Sequence, residues 1–141
     1  MNTSADHSSE DLDRLVEGLR GFLRAEVVKR HRSGALDLAD PWQVYGPDGR
    51  FCDAVLALMR EVREASARAG YYTMVVPEHL GGAGLGFEAL YRVWEAIYHE
   101  CGPHHWLGYH AVAHWARGPS HVLEGASPAL RENVLDDLLR G

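Results

Sequence analysis

Cysteine is scarce in this 141-residue chain, and it lacks both an excess of positive charge and any long apolar run. Cys52 and Cys101 stand far apart without CxxC spacing, which argues against a disulfide framework and for reduced thiols. Net charge is −6, so the basic face that phosphate-backbone binding needs is missing and no nucleic acid is expected as a partner. No apolar stretch approaches the roughly 20 residues that cross a bilayer, so no membrane partner is expected either. The N-terminal residues are polar and acidic without an apolar core; no signal peptide is expected, and the cytoplasm is the expected location. A Walker lysine and a dinucleotide fingerprint after a strand are both absent.

What is present is ordinary globular composition, 46% apolar and 24% charged. One compact domain is expected, able to bury roughly 70% of its extended surface without disulfides. Residues 1–8 read as a polar tail. From Ser9 the residues Leu12, Leu15, Val16, Leu19, Phe22, Leu23 and Val27 follow helical spacing and form one apolar stripe. Glu10 and Asp11 lie near the N-terminus of this helix, and Lys29, Arg30, His31 and Arg32 near its C-terminus, as the macrodipole favours. That basic cluster could alternatively meet a phosphate or a partner. Residues 33–50, punctuated by Gly34, Pro41, Gly46, Pro47 and Gly49, read as a long connection with a short helical turn.

A second helix is expected over 51–69, with the stripe Phe51, Val55, Leu58, Met59, Val62, Ala65 and Ala69, and Gly70 as its left-handed stop. Tyr71 to Val76 is aromatic and β-branched, a strand composition, yet so short a run is expected to yield to its tertiary context and stay unpaired. Pro77 ends it and opens a loop rich in glycine. A third helix over 87–101 is expected to bury Phe87, Leu90, Tyr91, Trp94, Ile97, Tyr98 and Cys101, and to stop at Gly102-Pro103. A fourth is expected over 104–116, halted near Gly118-Pro119, then a helical turn over 121–124. The last helix starts with Ser127 as N-cap and Pro128 at its first position, with Leu130, Val134, Leu135, Leu138 and Leu139 as its apolar side.

The stretch from Arg68 to Gly102, RAGYYTMVVPEHLGGAGLGFEALYRVWEAIYHECG, is similar to the acyl-CoA dehydrogenase N-terminal pattern. Ala69-Gly70 ends a helix, Val76-Pro77-Glu78 follows, and Gly81-Gly82-Ala83-Gly84-Leu85 leads into a long amphipathic helix. FLRAEVV (Phe22 to Val28) resembles the family's first helix, and GASPALRENVLDDLLRG (Gly125 to Gly141) its closing one. The resemblance implies an all-α, orthogonal helical domain of five to six helices over 9–141, in the N-terminal part of an FAD-dependent flavoprotein. It implies α,β-dehydrogenation of an acyl thioester, with an acyl-CoA-type ligand and one wall of the acyl pocket formed by the turn and helix after the third helix. By position that wall falls on His104 to Val112, with Trp106, Tyr109 and Val112 as candidate substrate contacts; large residues there would shorten the pocket. The alternative is that Trp106, Leu107, Val112 and Trp115 are simply core.

The resemblance also implies that a glutamate base and most FAD contacts lie in a middle β-domain and a C-terminal helical bundle. These are expected as partners in cis or in trans, because this sequence stops where the middle domain should begin. No cofactor is expected for this chain alone, and self-association through an uncovered apolar face is expected. A stand-alone binding module without activity, or a domain of a related flavin oxidase or monooxygenase, remains open. Pro77, Glu78, Gly81, Gly82 and Gly84 read as a structural loop, since glycines permit sharp turns and close backbone approach; a phosphate cradle is the competing idea. His99, His104, His105, His110, His114 and His121 are dense, and His110 with His114 and Cys101 could in principle hold zinc. Without a carboxylate in the zinc-protease spacing, no metal is assigned. Glu78, Glu95 and Glu100 show no evident partner to tune them, so no catalytic residue is assigned.

Overall fold

The computed structural model describes residues 9–33, 36–113 and 123–141. The expected tail, Gly34, and the stretch 114–122 with His114, Trp115, the Gly118-Pro119 stop and His121 lie outside the described residues. Among the described residues no strand forms, and the fold is all-α.

Helix α1 (Ser9–Phe22) continues through a π-helical segment (Leu23–Val28) into α2 (Lys29–Ser33). Leu12, Leu19, Leu23 and Val27 are buried along it, with Leu15, Val16 and Phe22 packed alongside, so the apolar stripe is the core face. Arg30 is held by Glu26 and by Glu61 of the helix over 53–68, the arrangement of a structural helix end. Helix α3 (Pro41–Val44) is the short turn in the connection. Asp40 caps it, accepting the Trp42 N–H at 3.0 Å, with Pro41 in the first position. Tyr45 and Phe51 then form an isolated antiparallel bridge, which holds Phe51 outside the next helix.

That helix, α4 (Asp53–Arg68), buries Val55, Met59, Val62 and Ser66. The expected inward positions Ala65 and Ala69 are half-buried and exposed instead. Ser66 takes the core position in the last turn because its hydroxyl donates to the Ala111 carbonyl, which removes the cost of burying it. At the end of α4 the Tyr71 N–H returns to Ser66 O and the Gly70 N–H to Ala67 O, both at 3.0 Å, and Gly70 has φ +84°. This double bond pattern needs a left-handed residue at Gly70, which glycine adopts without a Cβ clash.

Tyr71 to Val76 runs in turns rather than in a sheet. Its carbonyls are already occupied: Thr73 O accepts from Ala83, Met74 O from Leu85 and Val76 O from Gly84, at 3.3, 2.9 and 2.8 Å. The glycine loop thus folds back on the segment and consumes the groups a strand partner would need.

Helix α5 (Phe87–Cys101) packs on α1 and on the π-helical segment through Ala89, Val93, Ala96, Ile97 and Cys101. The expected face is only partly the buried one: Ile97 and Cys101 are inside as expected, but the aromatic positions 87, 91 and 98 are not. Phe87, Tyr91 and Tyr98 are 63%, 71% and 58% exposed, while Leu90 and Trp94 are half-buried. Small side chains at 89 and 96 let the helix axes approach, and close packing outweighs the larger payload of the aromatic side.

The expected fourth helix is also corrected, since the chain forms a 3₁₀ turn at Trp106–His110 and then departs from helical form. Helix α6 (Pro128–Arg140) opens with Ser127 accepting the Leu130 N–H at 3.3 Å. Leu135, Leu138 and Leu139 pack on a small cluster of Val76, Leu80 and Leu123. Leu130 and Val134, expected on the same side, are exposed. Leu123 and Glu124 are helical, the described part of the turn expected over 121–124.

Candidate functional site

The turn around Trp106–His110 is fastened to every element around it. Leu107 is fully buried, as are Ala111 and Val112 within 1%. The Trp106 Nε1–H donates to Leu38 O at 3.1 Å, tying the turn to the connection before α3. The Tyr109 hydroxyl donates to Gly102 O at 3.0 Å, and the Ala113 N–H to Tyr72 O at 2.9 Å. The Leu107 N–H donates to His31 Nε2 at 3.3 Å. With Ser66 holding the Ala111 carbonyl, the bond from Ala113 takes up a backbone amide that a continuous α-helix would have used internally. Gly108 lets the turn lie on α5: a Cβ there would sit 2.5 Å from Cys101 Sγ.

The candidate contacts do not converge on one cavity. Trp106 stacks on Phe51 at 5.9 Å, and Phe51 on Tyr45 at 5.0 Å; these rings with Leu38, Ala39, Pro41 and Val44 line a shallow cleft of about 170 Å³. Tyr109 instead meets Tyr98 and Trp94 at 5.2 and 6.3 Å, extending the aromatic side of α5. Val112 is inside the core. His31's place here carries no local signal, because its basic run reads as a helix end. Its ring lies edge-on to His105 at 5.1 Å and to Trp106 at 6.1 Å. Desolvation, reinforced by the nearby His105, lowers the His31 pKa to about 4, so the ring is neutral at pH 7 and accepts through Nε2.

The loop from Pro77 is built from its own backbone. A 3₁₀ turn (Glu78–Leu80) ends at Gly81, with φ +89°. A Cβ at Gly82 would overlap the Val76 carbonyl and side chain, so only glycine fits. The amides of Gly81, Gly82, Ala83 and Gly84 donate to Glu78, Pro77, Thr73 and Val76. A phosphate cradle needs such amides free, and these are committed.

Glu100, which shows no partner in the sequence, has one in the fold. Arg24 grips it through two bonds, 2.9 and 2.6 Å, with Arg20 at 3.8 Å. The Arg24 hydrogen bond holds its carboxyl below the usual range, which makes Glu100 a clamp between the first helical rod and α5 rather than a base. Burial, with a smaller contribution from Glu100, pushes the Cys101 thiol up to about 11, so it stays protonated and unreactive. Among the described residues, no group of three or more His, Cys, Asp or Glu is arranged to hold a metal, and no helix is long and apolar enough to cross a membrane.

Two concavities among the described residues are too small or too open to enclose a flavin dinucleotide. Ligand pockets of that kind enclose roughly 300–1,000 Å³ and bury most of the ligand. The Trp106 cleft is smaller, and the larger one, about 370 Å³, is an open surface on α6 between Arg131, Glu132 and Asp136. Neither a curated protein nor a solved structure matches the chain. A family profile does match it: Acyl-CoA dehydrogenase, N-terminal domain, over residues 9–141. That span takes in the helical rod, the glycine loop, the pinned turn and α6, and the chain therefore belongs to the acyl-CoA dehydrogenase family.

Proposed function

We propose that this chain is the helical part of an FAD-dependent acyl-CoA dehydrogenase-like oxidoreductase, forming one wall of its acyl pocket through the pinned turn. The observation that carries the reading is the family match over 9–141. The rigid attachment of the turn supports it, since a substrate wall must hold its shape. Trp106 and Tyr109, with His110, are the half-buried side chains the turn presents, and Val112 lies behind them in the core. Large rings at that wall favour short acyl groups. In this reading the reaction, α,β-dehydrogenation of an acyl thioester, belongs to the assembly. This chain's residues bring shape, apolar surface and exclusion of water, while flavin and the glutamate base sit in a β-domain and a C-terminal bundle, in cis or in trans.

The exposed aromatic side of α5 supports a docking role, because a side bearing Phe87, Tyr91 and Tyr98 is apolar beyond what a solvated helix needs. The same observation favours, as a second reading, a partner module that binds without catalysis. A related flavin oxidase or monooxygenase would use the same wall. The test begins with an absorption spectrum of the desalted 141-residue chain, then dye reduction with acyl-CoA substrates of several lengths. We expect no stoichiometric flavin and no turnover until the β-domain and bundle are supplied. Trp106→Ala and Tyr109→Ala should then extend activity toward longer acyl chains. Stoichiometric flavin on the chain by itself would overturn the division of labour, and failure with every supplied partner domain would favour the binding module.

A further inference from the structure

Within the turn, the hydrogen bond from Leu107 to His31 joins a buried main-chain donor to a titratable acceptor. Among the bonds holding the turn, those from Trp106, Tyr109 and Ala113 end on carbonyls, and Ser66 donates to one. None of those groups changes protonation in the accessible pH range. His31 is different, because protonation converts Nε2 from acceptor to donor. It would then face the Leu107 N–H donor to donor, with His105 a like charge 5.1 Å away, ring centre to ring centre. Arg30, beside His31 in the chain, is engaged by Glu26 and by Glu61 of α4. Within the turn His110 lies against Trp106, and Lys29 precedes on the same rod. No ion pair joins His31 to a carboxylate among the described residues, so nothing there compensates a charge on its ring.

We propose that His31 is an acid-sensitive latch on the 106–110 turn: neutral it holds the Leu107 amide, and protonated it releases the turn from the helical rod. The chemistry is intrinsic to this chain. Its use as regulation of a pocket wall rests on the function proposed above.

The sign follows from linkage. The folded-state pKa of about 4 lies below the ordinary histidine value of 6.5. The latch's contribution is therefore complete above about pH 6.5, weakens as pH falls, and is lost as pH passes through about 4.

The test is proton and nitrogen NMR of the whole chain, following the His31 ring, the Leu107 amide and the Trp106 indole N–H from pH 7.5 to 3.5, with no substrate or flavin added. We expect the Leu107 amide to shift with the same midpoint as the His31 ring, before any global loss of signal dispersion. His31→Gln, which keeps an acceptor but not the titration, should abolish that shift. His105→Gln should move the midpoint upward by removing the like charge. His31→Phe should lower the exchange protection of Leu107 roughly tenfold at neutral pH by leaving its donor unpaired. A Leu107 amide that ignores the His31 titration, or a His31→Gln chain that keeps the transition, would overturn the latch. Because no ligand enters the measurement, that failure would leave the dehydrogenase reading untouched, and the absence of turnover in the reconstituted enzyme would leave the latch untouched.

Discussion

The helical rod and the C-terminal helix solve the same problem with very different security. Along α1 and the π-helical segment, Leu19, Leu23 and Val27 are fully buried, facing Val55, Val62, Val93, Ile97 and Leu107. Helix α6 has no fully buried residue and rests on Val76, Leu80 and Leu123 through one edge. The glycine loop serves as its seat: a Cβ at Gly81 would fall 2.9 Å from Leu139 Cδ1. Helix α6 has its Ser127 cap and both helices are amphipathic, so local sequence quality does not account for the difference. Burial does, since packing of an apolar face supplies most helix stability.

The contrast can be broken most directly from the core side. Leu107→Ala should cost about 2–5 kcal/mol, because the cavity it leaves is enclosed by the rod and by α5. Urea denaturation followed by circular dichroism reads this, and a loss below about 1 kcal/mol would show that the core has slack. Gly82→Ala tests the seat of α6 by driving a methyl group into the Val76 backbone. We expect roughly 1–3 kcal/mol of destabilisation with the larger exchange increase in α6 rather than in α5. Ser66→Ala removes the donor to Ala111 and leaves a buried carbonyl unpaired, for about 1–3 kcal/mol. Ser127→Ala should cost about 0.5–2 kcal/mol and fray only the start of α6. At the small end, Leu130→Ser with Val134→Ser should change stability by no more than about 0.5 kcal/mol, since both side chains are already exposed. Light scattering of that variant against Tyr91→Ser with Tyr98→Ser would show which exposed face drives self-association. A clean monomer at high concentration for the unaltered chain would refute self-association for both.

Sequence determined the elements by themselves wherever one local signal was unopposed. The Leu12-to-Val27 stripe, the Gly70 stop and the Ser127 cap each depend on a short stretch of chain, and backbone geometry enforces them locally. Tertiary structure decided what needed a distant partner. Helix α5 carries two apolar faces, and only the approach of α1 selects Ala89, Val93 and Ala96 over Phe87, Tyr91 and Tyr98. Residues 104–113 have the spacing of a helix, yet Ser66 of α4 and the Tyr72 carbonyl take the Ala111 and Ala113 backbone groups and leave a 3₁₀ turn at Trp106–His110. The roles of His31 and Glu100 were not legible because their partners, Leu107 and Arg24, lie 76 positions away in the chain. Trp106 and Tyr109 were legible as large residues in one turn, but a three-residue spacing on a 3₁₀ turn does not reveal which neighbours wait on either side. Hydrophobic pattern fixes how amphipathic a segment is; which face turns inward is set by the shape of what it meets.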